Sequence, residues 1–281
     1  MQARILRAYG LIQELEAKIP KPEVHGSQAP GTTQHESQLG DSSSHLWDRI
    51  GRMTVFPLLV RQSALLRTLV YNRPFLKFRR RPARILEVGF GNGLLLFALS
   101  HLDTELFGTE ISEHACKAVS SSLGVEAFCG QLWDAGYADG QFDLVIFSHS
   151  LEHLSDPMRA LREARRIVAP DGGLIISLPN PECLSARVFG EHWAGYDFPR
   201  HIFLFGPCAL AKLAEKACFR LQKARFPLEG SVHHFAESVN SRLGLRVIPN
   251  ALSGMLLGQI LYLPIIAFRS GDVVTFYLRP R

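Results

Sequence analysis

The sequence predicts an α/β protein built on a doubly wound, mostly parallel sheet, and three observations carry that prediction. First, Arg84 to Leu96 reads RILEVGFGNGLLL, an apolar run followed by Gly89, Gly91 and Gly93 and by a helical-looking Leu94 to Ser100. A strand, a tight turn and a helix start in that order make the first half of a βαβ unit. Second, short apolar stretches alternate with helical patterns from there onward, as expected when helices cover both faces of a parallel sheet. Third, 281 residues with 47% hydrophobic content allow one sizeable core with appendages rather than several small domains.

Ahead of that core, Ile5, Tyr9, Ile12 and Leu15 recur at helical spacing, so 1–18 reads as a short amphipathic helix. Residues 19–45 are rich in Pro, Gly, Ser, Thr and Gln, bury too little apolar surface to offset the entropy of ordering, and read as a flexible linker. From 46 to 83, Ile50, Phe56, Leu59, Leu65, Leu69 and Phe75 imply cap helices interrupted near Pro57 and Pro74. The main domain spans 84–281, with candidate strands at Ile85 to Val88, Glu105 to Thr109, Val125 to Cys129, Asp143 to Phe147 and Gly173 to Leu178. The helix before the last of these has Ser155 or Asp156 as its cap and Pro157 in its first turn. Met158, Leu161, Ala164 and Ile167 line one face, and Pro170-Asp171-Gly172-Gly173 is the expected stop.

The net charge of +5 and a pI near 9.1 mildly favour an anionic partner. No acid occurs from Met53 to Leu86, while Arg61, Arg67, Arg73, Lys77, Arg79, Arg80, Arg81 and Arg84 accumulate there. That run is either a solvated basic face or an attraction to an anionic membrane surface. The five cysteines form no C-x-x-C and no close pair, which speaks against a zinc knuckle or a disulfide framework and favours a reducing, cytoplasmic compartment. The first residues lack the apolar run of a signal peptide.

The glycine spacing narrows the ligand. A dinucleotide site uses G-x-G-x-x-G, which counted from Gly89 would need a glycine at Leu94. Here the pattern is Glu87-Val88-Gly89-Phe90-Gly91-Asn92-Gly93, and it resembles motif I of the class I S-adenosylmethionine (AdoMet) methyltransferases. Phe142 to Pro157 (FDLVIFSHSLEHLSDP) and Leu174 to Asn180 (LIISLPN) are similar to the corresponding parts of the quinone-biosynthesis and sugar or secondary-metabolite cluster methyltransferases. The resemblance implies a Rossmann-like, seven-stranded sheet whose last strand, Asp272 to Leu278, inserts antiparallel after a helical insertion at 231–270. It also implies AdoMet as cofactor, with Glu87, Gly89, Gly91 and Gly93 at its amino acid end. Glu110 would take the ribose hydroxyls, Gln131 and Leu132 the adenine, and Ser148 would lie at the end of the fourth strand.

Methyl transfer from a sulfonium is an in-line displacement, so a hydroxyl acceptor needs alignment and a base near neutrality, a task suited to histidine. The resemblance puts His149, His153 and His201 around the pocket. Segment 193–201, WAGYDFPRH, is similar to a loop over the acceptor, which makes His201 the first base candidate, His149 the second and Asp197 the third. The same segment also reads as a loop pinned by Pro199 and an Arg200–Asp197 ion pair. His149 to His153 matches the H-x-x-E-H protease pattern, but that pattern needs a long helix, and a position just after a strand does not supply one. A divalent metal on His149, Glu152 and His153 is the alternative to a hydrogen-bonded His153; the expectation is no metal.

Val247 to Phe268 contains no charged residue, though Pro249, Asn250, Gln259 and Pro264 dilute it. A crossing helix would separate the last strand from its sheet, so a buried cap or an interfacial helix is expected. The reading is an AdoMet-dependent methyltransferase acting, at oxygen, on a small-molecule or lipid-linked acceptor, with no nucleic acid partner. Its alternatives are an NAD-type oxidoreductase, a nucleic-acid methyltransferase suggested by the basic run, and a non-catalytic binding module.

Overall fold

The structure is a computed structural model that describes residues 82–227, 234, 237–242 and 271–281. All of them lie in the compact unit Val60–Arg281. The expected N-terminal helix, linker and cap helices, and the 231–270 insertion with its apolar stretch, lie outside the described residues except for 82, 83, 234 and 237–242.

The strands are β1 (Ala83–Val88), β2 (Thr104–Glu110), β3 (Glu126–Cys129), β4 (Phe142–Ser148), β5 (Val168–Pro179), β6 (Phe219–Arg225) and β7 (Val273–Pro280). The helices are α1 (Leu94–Leu99), α2 (Glu113–Leu123), α3 (Pro157–Ile167), α4 (Leu184–Phe189) and α5 (Pro207–Lys216). The sheet order is β3-β2-β1-β4-β5-β7-β6. β1 pairs in parallel with β2 and β4, whereas β7 runs antiparallel to both β5 and β6. The chain reverses its winding direction between β1 and β4, and in open α/β sheets the crevice at such a switch point is where ligands bind.

The near-continuous apolar runs of the central strands follow from burial on both faces. Leu86, Val88, Val145, Phe147, Leu174, Ile176, Phe276 and Leu278 share one cluster with Ala160, Leu161, Ala164 and Ile167 of α3 and Leu210 and Ala214 of α5. The alternate residues Ile85, Leu144, Ile146, Ile175 and Tyr277 pack on the other side with Leu99 of α1. Each such aliphatic side chain contributes roughly 1.5–3 kcal/mol when fully buried, so the two clusters make the strand ends around the crevice a rigid frame.

One expectation is corrected, and one choice left open by the sequence is decided. The stop of α3 is not Pro170-Asp171-Gly172-Gly173: the helix ends at Ile167 and Val168 is already extended (φ −77°, ψ 136°). The proline and glycines form an irregularity in the ladder, where pairing jumps from Phe142↔Val168 to Leu144↔Gly173. The extra residues leave the ladder there because Pro170 has no N–H to donate. At the other end Asp156, not Ser155, is the cap, its Oδ1 accepting from Arg159 N at 2.9 Å. Strand β6 was not foreseen as a separate element.

Candidate functional site

Glu87 is the next-to-last residue of β1 and is only 3% exposed. Its Oε2 has no hydrogen-bond partner, and burial, with the nearby Glu110 adding to it, pushes its pKa well above the ordinary value. A buried carboxyl oxygen left unsatisfied is costly unless a ligand completes it. The glycines that follow have different reasons. At Gly93 (φ +73°) a Cβ would sit 2.6 Å from Val119 Cγ2, so this glycine lets α1 approach α2. At Gly91 (φ +53°) nothing lies within 4 Å of where a Cβ would be, so its backbone borders open space. Ser150 packs against Gly89 and donates to Val88 O at 2.5 Å, fastening the loop after β4 to the end of β1.

Glu110 ends β2 and anchors this loop. Its Oε2 accepts from Gly91 N at 2.9 Å, and its Oε1 accepts from Ile111 N (2.8 Å) and Ser112 N (3.1 Å). A carboxylate offers about four acceptor positions, so a ribose diol could take one on Oε2 and would gain the second only by displacing a backbone amide. Gln131 is half-buried ahead of a 3₁₀ turn at Leu132–Asp134, with no side-chain hydrogen bond among the described residues. Leu132 is 2% exposed and belongs to the core. The apolar side chain left uncovered beside this loop is Ile111, 70% exposed, which sequence reasoning passed over although it directly follows the acid. Ser148 is half-buried at the end of β4.

These residues suit AdoMet. Glu87 has an unmatched buried oxygen for an ammonium group, Gly91 leaves room at the loop, and Glu110, Ile111 and Gln131 offer acceptor, apolar and amide surfaces for a nucleoside.

Beyond β4 the chain gathers three histidines around one acid. His149 adopts φ 52° and donates its backbone N–H to Ser177 O at 2.8 Å. Its Nδ1 stands 3.7 Å from Glu152 Oε1. Desolvation, then His201 and His153, press the His149 pKa down to about 4, tempered by the 44% of its side-chain surface that stays open. Glu152 is 1% exposed, neither carboxyl oxygen has a partner, and burial raises its pKa to about 8. The contact therefore joins a neutral acid to a neutral imidazole, and it is too long for a hydrogen bond.

The backbone carbonyl of Glu152 accepts from Ile202 N (3.0 Å) and Phe203 N (3.1 Å), which draws the WAGYDFPRH segment to this place. His201 Nδ1 lies 2.8 Å from Gly195 O, and His153 Nδ1 lies 2.8 Å from Arg200 O. A carbonyl can only accept, so each Nδ1 carries the proton and each Nε2 of the neutral ring keeps its lone pair. Burial leads the influences that lower the pKa of His201. Asp197 is held by Arg200, whose Nε and Nη2 donate to Oδ1 at 3.1 and 2.7 Å, so the ion pair is present alongside the histidine site.

One ligand atom from each of Glu152, His153 and His201 lies within 4.8 Å of the others, an arrangement that could hold a divalent cation once Glu152 ionises. That set has His201 where the sequence alternative had His149. Leu151–His153 is a single 3₁₀ turn, so the H-x-x-E-H pattern has no helix to present it. Farther out, Trp193 Nε1 donates to Asp272 Oδ2 at 3.0 Å and Ser185 Oγ to Oδ1 at 2.8 Å, anchoring the segment to the start of β7.

A seven-stranded sheet with one antiparallel strand, a glycine loop after β1 and an acid ending β2 together define the class I AdoMet-dependent methyltransferase fold. A methyltransferase-domain family profile matches residues 61–224, and the chain belongs to that family. A ubiquinone biosynthesis O-methyltransferase from Xanthomonas oryzae pv. oryzae is 29% identical over 126 residues, which cover 42% of this chain and 53% of the relative. An ajmaline N-methyltransferase from Rauvolfia serpentina is 32% identical over 105 residues, 34% of this chain and 36% of the relative. The chain thus spans about half the length, or less, of these curated relatives. A proposed sarcosine dimethylglycine methyltransferase from Galdieria sulphuraria shares the fold at a TM-score of 0.55, with 13% identity over 85% of this chain and 98% of that one. Among the described residues, no helix is long and apolar enough to cross a membrane.

Proposed function

We propose that this chain transfers the methyl group of AdoMet to a hydroxyl on a small-molecule or lipid-linked acceptor. The observation that carries the reading is the buried Glu87 carboxyl with an unmatched oxygen, beside an open Gly91, at the same carboxyl end of the sheet as a cluster of histidines in which burial presses the pKa values of His149 and His201 down. AdoMet, when bound, supplies an electrophilic methyl on a sulfonium. Glu87, Gly89, Gly91 and Gly93 would hold its amino acid end, Glu110 its ribose, and Ile111 and Gln131 its adenine, with Ser148 at the floor. His201, with an accepting Nε2 fixed by the bond to Gly195, would take the acceptor's proton; His149 is the second base, and Asp197 orients the loop through Arg200. A positioned base of this kind is worth roughly 10²–10⁴ in rate.

Oxygen as the site of methylation is supported by the name of the quinone-pathway relative, while the alkaloid relative acts at nitrogen by its name. A lipid-linked or otherwise apolar acceptor, and contact with an anionic membrane, are supported by the surface of the acceptor segment. Val188, Phe198 and Ile202 are 53%, 88% and 58% exposed, and Arg187, next to Val188 in the chain, is exposed too. The test is calorimetry with AdoMet and with NAD, followed by incubation with labelled AdoMet and lipid or metabolite extracts. AdoMet binding with label on an oxygen of an extractable compound is expected; NAD binding, or label on nucleic acid, would overturn the proposal.

A further inference from the structure

Two cysteines, Cys116 and Cys129, contact neighbouring carbonyls of the chain at Glu110 and Ile111, beside the expected nucleoside position. Cys116 sits in the first turns of α2 and is 6% exposed; Cys129 is the last residue of β3 and is exposed. The register pairs Glu110 with Cys129 across β2 and β3. Cys116 Sγ lies 3.4 Å from Glu110 O and 3.9 Å from Phe128 O, and Cys129 Sγ lies 3.8 Å from Ile111 O. Cys116 Sγ thus reaches the carbonyl that directly precedes Cys129, which puts the two thiols on either side of one stretch of backbone. Both sulfurs therefore hold the carbonyls of the two residues whose side chains and amides shape the ribose end of the crevice.

We propose that Cys116 and Cys129 are a reversible oxidation site for peroxides, and that closing the disulfide between them weakens AdoMet binding. The second half rests on the cofactor reading above. Cys129, being exposed, attacks the peroxide first: its sulfur bonds one oxygen, the O–O bond breaks, and the departing hydroxide leaves as water with the thiol's proton. Cys116 then attacks the sulfenic sulfur, the S–S bond forms, the S–O bond breaks, and the second hydroxide leaves as water with the Cys116 proton. Two thiols and one peroxide become one disulfide and two waters. Desolvation pushes the Cys116 thiol up to about 12, so this buried partner does not react with oxidant in advance of Cys129.

The disulfide removes both S–H donors from the carbonyls of Glu110 and Ile111. It also fixes the sulfurs about 2.05 Å apart, away from the carbonyls they now contact, so at least one of β3 and α2 must shift. β3 leads directly into Gly130-Gln131, and Glu110 holds Gly91 N, so the shift reaches both walls of the nucleoside site. In a reducing compartment such a bond is transient, as suits a sensor rather than a structural staple.

The experiment uses the full chain carrying Cys208→Ser and Cys218→Ser, which removes the other exposed thiols. After hydrogen peroxide, peptide mass mapping reads the linkage and calorimetry reads AdoMet affinity before oxidation, after it, and after dithiothreitol. A Cys116–Cys129 disulfide is expected, with affinity lowered about fivefold or more and restored on reduction. Cys129→Ser is expected to bind AdoMet as the reduced protein does and to be indifferent to peroxide. Recovery of Cys116 as a free, alkylatable thiol after oxidation would overturn the site, and a disulfide that leaves affinity unchanged would overturn its effect. If the reduced protein bound no AdoMet, the cofactor reading would fail, while the mass map would still decide whether the pair closes.

Discussion

Trp193 and Asp272 are joined by a buried 3.0 Å hydrogen bond that ties the WAGYDFPRH segment to the chain entering β7. Asp272 is 0% exposed and also receives Ser185 Oγ, so removing it strands two buried donors. Asp272→Ala is expected to cost about 2–4 kcal/mol in urea unfolding, and Trp193→Phe less, because it leaves only one acceptor short of a partner. Burial raises the Asp272 pKa from 3.8 to about 6, so its stabilising contribution is complete below 3.8 and is lost as pH rises through 6. Asp272→Asn should flatten that part of the stability profile.

Glu152 acts in the same direction over a wider window. Its pKa rises from 4.5 to about 8 on folding, so the native state binds the extra proton between those values and stability falls as pH climbs through them. Glu152→Gln is expected to remove this slope and to leave the variant more stable than the parent at pH 9, by thermal or denaturant unfolding. An unchanged slope would mean that the carboxyl is ionised in the folded protein.

The two inner glycines separate packing from binding. Gly93→Ala meets Val119 at 2.6 Å and should lose about 1–3 kcal/mol of stability. Gly91→Ala meets nothing within 4 Å, so its cost is the strain of a positive φ, about 1–2 kcal/mol. Glu87→Gln tests the loop from the other side: it should weaken AdoMet binding about tenfold or more by calorimetry, since the ammonium loses its ion pair and keeps only a bond to a neutral amide oxygen.

For the chemical step, His201→Ala is expected to lower kcat by about 10²–10³ with the KM for AdoMet nearly unchanged, and His149→Ala by less. Near-normal turnover in both would remove histidine from proton transfer. The low pKa of His149, about 4, implies that activity dependent on it stays level from pH 6 to 8 rather than falling at the acid side of that range.

What could be read in the sequence was whatever local chemistry dictates. The central strands announced themselves because burial on both faces forces continuous apolar runs, and the Asp156-Pro157 start of α3 follows from capping alone. β6 was not legible because its residues after Phe219 are exposed and carry no apolar alternation. Glu87, Glu110 and the glycines were placed by their order along the chain. That Glu110 spends its oxygens on Gly91, Ile111 and Ser112 needed the three-dimensional turn, as did the meeting of His201 with Glu152, which depends on backbone bonds from Ile202 and Phe203. The Arg200–Asp197 pair was foreseen because the two stand three residues apart. Ser150 under Gly89 had no local signal at all.

The two borders of the sheet bear on how copies of this protein behave toward each other. β3 is four residues long, and β6 sets Arg220, Lys223 and Arg225 along a solvated margin. A short rim on one side and a cationic one on the other offer poor templates for strand addition by a second copy. Concentrated solutions should therefore resist fibre-like stacking through these two margins of the sheet.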